Sequence, residues 1–159
     1  MSIAHKVSTC FWFEGEAEQA AELYVSLIPN SEILNIVRHG EGGALPKGTA
    51  LMVSFTLDGT PLLLLNAGPM FKQSEAASIS VACEDQAEID RLWAALTADG
   101  GQEGHCGWLK DRWGVSWQIV PKQMEEWMSR DPACAARVTA AFMPMSKLDV
   151  AILEAAARG

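Results

Sequence analysis

Three histidines and four cysteines are the side chains here best suited to metal ligation, nucleophilic attack or proton transfer at neutral pH. Their spacing supports none of these. His5, His39 and His105 stand far apart, and no pair has metal-binding spacing within one helix or strand. A His39–Glu41 or His105–Glu103 arrangement could move a proton, but a solvent-exposed histidine is the simpler expectation at each position. Cys10, Cys83, Cys106 and Cys134 include no Cys-x-x-Cys pair, so separate, reduced, mostly buried thiols are expected. There is no nucleophile elbow and no phosphate-cradling glycine loop. The residue that stands out is an amide. In "GVSWQIVP", Gln118 lies between Trp117 and Ile119 in a strongly apolar stretch. It could hydrogen-bond a polar ligand in an apolar cup, or it could be a core amide satisfied by a backbone neighbour. Strand alternation sets Val115, Trp117 and Ile119 on one face and Ser116, Gln118 and Val120 on the other. If Gln118 faces a cup, Trp117 does not. Trp108 could line such a cup or stack on a flat ligand, while tryptophans at strand spacing also serve as core filler. Lys110, Asp111 and Arg112 fall at a turn, where a solvated ion pair is expected.

The elements that must position these groups follow from periodicity. "VSTCFWF" reads as a strand, "EGEAEQAAELYVSLIPN" as a helix stopped by Pro29-Asn30, and "SEILNIVRHG" as a strand ending in a glycine-rich loop. "TALMVSFTLDGTPLLLLNAG" reads as two strands about an Asp58-Gly59 hairpin turn. The same order then repeats. "ASISVACE" is a strand, and "DQAEIDRLWAALTADGG" is a helix with Asp85 as cap and Ile89, Leu92, Trp93 and Leu96 as its buried stripe. A short segment over 102–106, a strand over 107–110, a turn at Asp111–Gly114 and a strand over 115–120 complete the repeat. Three helices follow: "KQMEEWMSR", then "DPACAARVTAAFM" capped by Asp131, then "SKLDVAILEAAARG" with Ser146 as candidate cap. Leu148, Ile152 and Leu153 need a covering surface, and a subunit interface could supply it.

Composition narrows the function. Apolar residues at 49% and charged residues at 20% of 159 suit one globular domain with a sizeable core. Twelve Lys and Arg against 20 Asp and Glu leave a net charge of −8, which repels phosphate backbones, so no nucleic-acid partner is expected. The longest apolar run, Pro61 to Leu65 with its flanks, is too short to span a bilayer, and the N-terminus lacks a secretory pattern. A cytoplasmic protein with no membrane partner is the expectation.

With "FWFEGEAEQAAELYVSLIPNS" in its first half and "GWLKDRWGVSWQIVP" closing the second repeat, the chain resembles the PhnB-like branch of the vicinal oxygen chelate superfamily. That superfamily includes glyoxalases, ring-cleaving dioxygenases and bleomycin-resistance proteins, and many members of the branch are labelled 3-demethylubiquinone-9 3-methyltransferase-like. The likeness runs over essentially the whole chain, including the C-terminal helices. It implies an α+β fold with two βαβββ modules, about 5–68 and 77–121, forming a curved mixed sheet or open barrel in a single domain, plus a helical extension over 122–159. It also implies a homodimer.

Metal-dependent members supply His or Glu ligands from the first and last strands of each module. The usual last strand reads Asp-x-x-Gly with a liganding Glu four residues after the glycine. Asp111 and Gly114 match, and the ligand position falls on Gln118. The other three positions fall on Ser78, Asn66 and Thr9, with Ser8 one residue away. All are neutral, so neither a metal nor another cofactor is expected. Asn66 could equally be a strand-ending residue that bonds its own turn. The resulting expectation is a protein that binds a small molecule through Thr9, Asn66, Ser78 and Gln118, with Phe11 and Trp108 as apolar contacts. No catalytic residue is identified. The alternatives are a metal-dependent lyase, dioxygenase or resistance enzyme with an unconventional site, and a structural partner protein acting through its helices. Methyl transfer has no support, since Gly40, Gly42 and Gly43 follow the second strand of a module, not the first.

Overall fold

The computed structural model describes residues 5–159, which form two compact units meeting at Gln73 and Ser74. The first unit contains β1 (Thr9–Phe13), α1 (Ala17–Leu27), β2 (Glu32–Arg38), β3 (Ala50–Leu57) and β4 (Thr60–Asn66). Its sheet runs β1-β4-β3-β2, with β1 parallel to β4 and the other pairs antiparallel. Register sets Phe11, Phe13, Val53, Phe55, Leu62, Leu64 and Asn66 on one face. This face is buried, as are Ala17, Ala20, Ala21 and Tyr24 of α1, whose small alanines allow the helix to approach closely. Asp58 (φ 45°) and Gly59 (φ 76°) both take the left-handed conformation of a two-residue hairpin turn, the reason this dipeptide was legible.

The second unit repeats the topology. β5 (Ser78–Cys83), α2 (Gln86–Thr97), β6 (Gln102–Glu103), β7 (Trp108–Lys110) and β8 (Ser116–Pro121) give a sheet of order β5-β8-β7-β6, with β5 parallel to β8. The eight strands thus form two four-stranded mixed sheets, one per βαβββ module and not hydrogen-bonded into a closed barrel, which with the helices gives the α+β class expected. The Asp85 carboxylate accepts from the Glu88 backbone N–H at 2.9 Å, and the Glu88 carboxylate accepts in turn from the Glu84 N–H at 2.7 Å. Ile89, Leu92, Trp93 and Leu96 of α2 are buried, as are Leu109, Trp117 and Ile119 on one face of this sheet.

Three helices complete the second unit: α3 (Met124–Arg130), α4 (Pro132–Phe142) and α5 (Val150–Arg158). They share a core of Trp127, Cys134, Val138, Leu148, Leu153 and Ala157, so Leu148 and Leu153 find cover within their own chain, while Ile152 remains exposed. Asp131 caps α4 as expected. The cap of α5 is Asp149, which accepts from Ile152 N–H at 3.1 Å, and not Ser146. The cause is that residues 145–150 are bound elsewhere. Met145 and Ser146 carbonyls accept from Cys106 and Gly107 N–H groups at 2.8 Å each. The Gln86 amide then donates to Leu148 C=O and accepts from Val150 N–H. Gly107 (φ 84°) must be glycine here, because a Cβ would sit 2.9 Å from the Ile119 carbonyl.

Candidate functional site

β8 lies between β5 and β7, and its alternation decides what each sheet face carries. Trp117 pairs with Ile79 and Leu109, and Ile119 with Val81; this is the face bearing the buried apolar residues. On the opposite, open face, Ser116 lies between Ser78 and Lys110, and in the next row Gln118 lies between Ser80 and Trp108. Val120, last on this face, packs against the core of the C-terminal helices. The Gln118 Nε2 donates to Ser78 Oγ at 2.9 Å. Ser78, Trp108 and Gln118, three of the positions expected from sequence, therefore meet on one half-buried face. Ser80 and Ser116 join them there. Sequence alternation already placed Ser116 beside Gln118 but assigned it no role.

The ionic surroundings differ from expectation. Asp111 is not part of a solvated pair; it is 3% exposed. Its Oδ1 accepts from the backbone N–H groups of Trp113 (3.0 Å) and Val115 (3.1 Å), and its Oδ2 accepts from the Trp117 indole at 3.0 Å. The Asp-x-x-Gly pattern is thus a turn device: a buried carboxylate ties the β7–β8 connection together, and Gly114 takes φ 83°. Lys110 instead pairs with Glu75 at 2.5 Å, and the Arg112 guanidinium pairs with Asp99 at 2.9 Å. The Lys110 ammonium holds the Glu75 carboxyl below the usual carboxylate range.

The remaining expected positions belong to the first unit and share the α1-side face of its sheet. Phe11 is buried there, and Thr9 is exposed at the start of β1. Asn66 is 1% exposed and fully engaged: its Oδ1 accepts from Ala17 N–H at 3.1 Å, and its Nδ2 donates to Gly15 and Ala50 carbonyls at 3.1 and 2.9 Å. Asn66 thereby satisfies the N-terminus of α1, whose own Glu16 makes no side-chain cap. Its backbone carbonyl meets His39 Nε2 at 3.0 Å. His39 is consequently buried, against the expectation of a surface histidine, whereas His5 and His105 are exposed. Glu41 pairs with Lys47 and Glu103 accepts from the Trp93 indole, so both possible acidic partners of histidine are held elsewhere.

The open face of this first sheet carries Cys10, Trp12, Met52, Leu63 and Leu65. Trp12 donates to Gly68 C=O at 2.8 Å and meets Phe71 edge-on at 4.8 Å. All four cysteines are free, but only Cys83 and Cys134 are buried. Burial above all pushes the Cys83 thiol up to about 12.

The donors do not fit a divalent metal. Ser78 and Gln118 offer neutral oxygen, already partnered in part, and among the described residues no group of three or more His, Cys, Asp or Glu could hold an ion. No helix among the described residues is long and apolar enough to cross a membrane.

Two βαβββ modules, each a four-stranded mixed sheet with its own helix, give the chain the fold of the vicinal oxygen chelate type. The chain belongs to the family described as 3-demethylubiquinone-9 3-methyltransferase, whose profile matches residues 5–120. A Bacillus cereus structure titled as a putative 3-demethylubiquinone-9 3-methyltransferase, PhnB protein, is 34% identical, with 74% of this chain and 99% of that one covered and a TM-score of 0.68. The Pseudomonas aeruginosa protein PA1353 is similar at 20% identity, covering 75% and 98%, with a TM-score of 0.60. The Listeria monocytogenes fosfomycin resistance protein FosX shares the fold at 15% identity, covering 78% and 96%, with a TM-score of 0.55. No curated protein matches the chain. The family match ends at residue 120, so α3–α5 lie outside it, and the family likeness is shorter than the full-length resemblance expected from sequence.

Proposed function

We propose that this protein binds a small molecule on the open face of its second sheet without a metal ion, through Gln118 and Ser78 with Trp108 as an apolar wall. The observation that carries the reading is the Gln118–Ser78 hydrogen bond on a face that also bears Trp108. An amide placed there for core packing would be surrounded by apolar groups or bound to backbone, whereas this one has a hydroxyl partner and a half-exposed position. A few polar groups converging beside an aromatic side chain are what ligand sites commonly offer.

A metal-dependent reaction is disfavoured by the same residues, because alcohol and amide oxygens leave a dication uncompensated. Methyl transfer, named in the family description, gains no support from the layout: Gly40, Gly42 and Gly43 lie in the loop between β2 and β3, and neither sheet is a doubly wound parallel one. A thermal-shift screen of metabolites and planar aromatic compounds tests the proposal. A ligand at 100 times its Kd should stabilise the fold by about 2.7 kcal/mol. Gln118→Leu should abolish that shift, and an unchanged shift would refute the assignment. Near-stoichiometric Ni, Zn, Fe or Mn retained after dialysis would overturn the metal-free reading.

A further inference from the structure

Ser116 is 1% exposed, and its hydroxyl has no hydrogen-bond partner among the described residues. Buried hydroxyls are almost always paired, and an orphan destabilises the fold that contains it. This orphan shares the face of Gln118 and lies directly across from Ser78 on one side and Lys110 on the other. We infer that Ser116 is a third ligand-contacting group of this site, and that the site takes an uncharged planar molecule with adjacent N–H and C=O groups, such as a cyclic amide or ureide, in preference to an anion. The inference rests on the binding site proposed above.

The donor and acceptor pattern supports the ligand class. Ser78 Oγ accepts from Gln118 Nε2, so its proton is free to be donated to a ligand carbonyl. Gln118 Oε1 has no partner among the described residues and can accept a ligand N–H. Ser116 can do either. Trp108, across from Gln118, offers an aromatic surface to a flat ring. The cation of this face does not recruit an anion, because Glu75 already holds Lys110 at 2.5 Å and the chain carries a net charge of −8.

Calorimetric titration of the full chain with three probes of similar size tests this: uracil, 1,3-dimethyluracil and benzoate. Uracil should bind saturably, and the other two at least fivefold more weakly. Ser116→Ala should weaken uracil binding about fivefold while raising the Tm of the free protein, because an orphan hydroxyl has been removed. A purely structural serine would not yield both changes. Unchanged uracil affinity in Ser116→Ala overturns the role of Ser116. Benzoate or dimethyluracil binding as tightly as uracil, or no uracil binding at all, overturns the ligand class. Loss of uracil binding in Gln118→Leu keeps the underlying site, whereas retained binding there means that the site reading itself has failed.

Discussion

Asn66 and Gln118 are both amides on the last strand of a βαβββ module, yet their positions differ in kind. Asn66 lies on the helix side of its sheet, and its amide bonds three backbone groups, at Ala17, Gly15 and Ala50. Gln118 lies on the open side of its sheet with one serine partner. Register parity, one residue either way, separates an amide that holds a helix in place from one available to a ligand. The two open faces differ in the same sense. Cys10, Trp12, Leu63 and Leu65 make the first apolar, while Ser78, Ser80, Ser116 and Gln118 make the second polar.

The strongest test of this contrast is Asn66→Ala. It removes the partner of the buried Ala17 N–H, the buried Ala50 carbonyl and the part-buried Gly15 carbonyl, and should destabilise the protein by about 3 kcal/mol in chemical denaturation. A cost under about 1 kcal/mol would mean that the amide is not structural and that the two positions are more alike than their geometry indicates. Asp111→Asn should cost somewhat less, about 2 kcal/mol, because an amide NH₂ must then face either the Trp117 indole N–H or the two turn N–H groups. Gln118→Leu lies at the other extreme. It removes one half-exposed hydrogen bond and should change stability by less than about 1 kcal/mol while eliminating ligand response. If its destabilisation matched that of Asn66→Ala, the open-face assignment would be lost.

Why some of this was legible in the sequence and some was not follows from those strands. In β8, polar Ser116 and Gln118 alternate with apolar Trp117 and Ile119, so parity could be read directly. In β1, Phe11 and Phe13 alternate with Cys10 and Trp12; both faces are apolar, so the sequence could not show that Phe11 turns to the side of α1. The hairpin at Asp58-Gly59 and the caps Asp85 and Asp131 were local signals and appear as expected. Burial of Asp111 and His39 was not local. The first depends on an indole from the next strand, the second on a carbonyl at the end of β4. Ser146 failed as a cap for the same reason, since residues near Cys106 and Gln86 hold the chain before α5.

The smallest expected effect concerns charge on the polar face. Lys110 lowers the pKa of the Glu75 carboxyl, mainly through their direct hydrogen bond. A carboxylate depressed in the folded state adds stability above its unfolded value, near 4.3, and that contribution is lost as pH falls through the depressed folded value. Both groups are substantially exposed, so the contribution is small and weakens with salt. Lys110→Met should return the Glu75 titration toward the ordinary range, followed by carboxyl chemical shift in an NMR pH series, with little change in Tm at neutral pH. An unmoved Glu75 titration would mean that Lys110 is not neutralised by this partner. The ammonium would then be free on the same face as Ser116 and Gln118, and that face would suit an anion better than the uncharged ligand its alcohols and amide otherwise select.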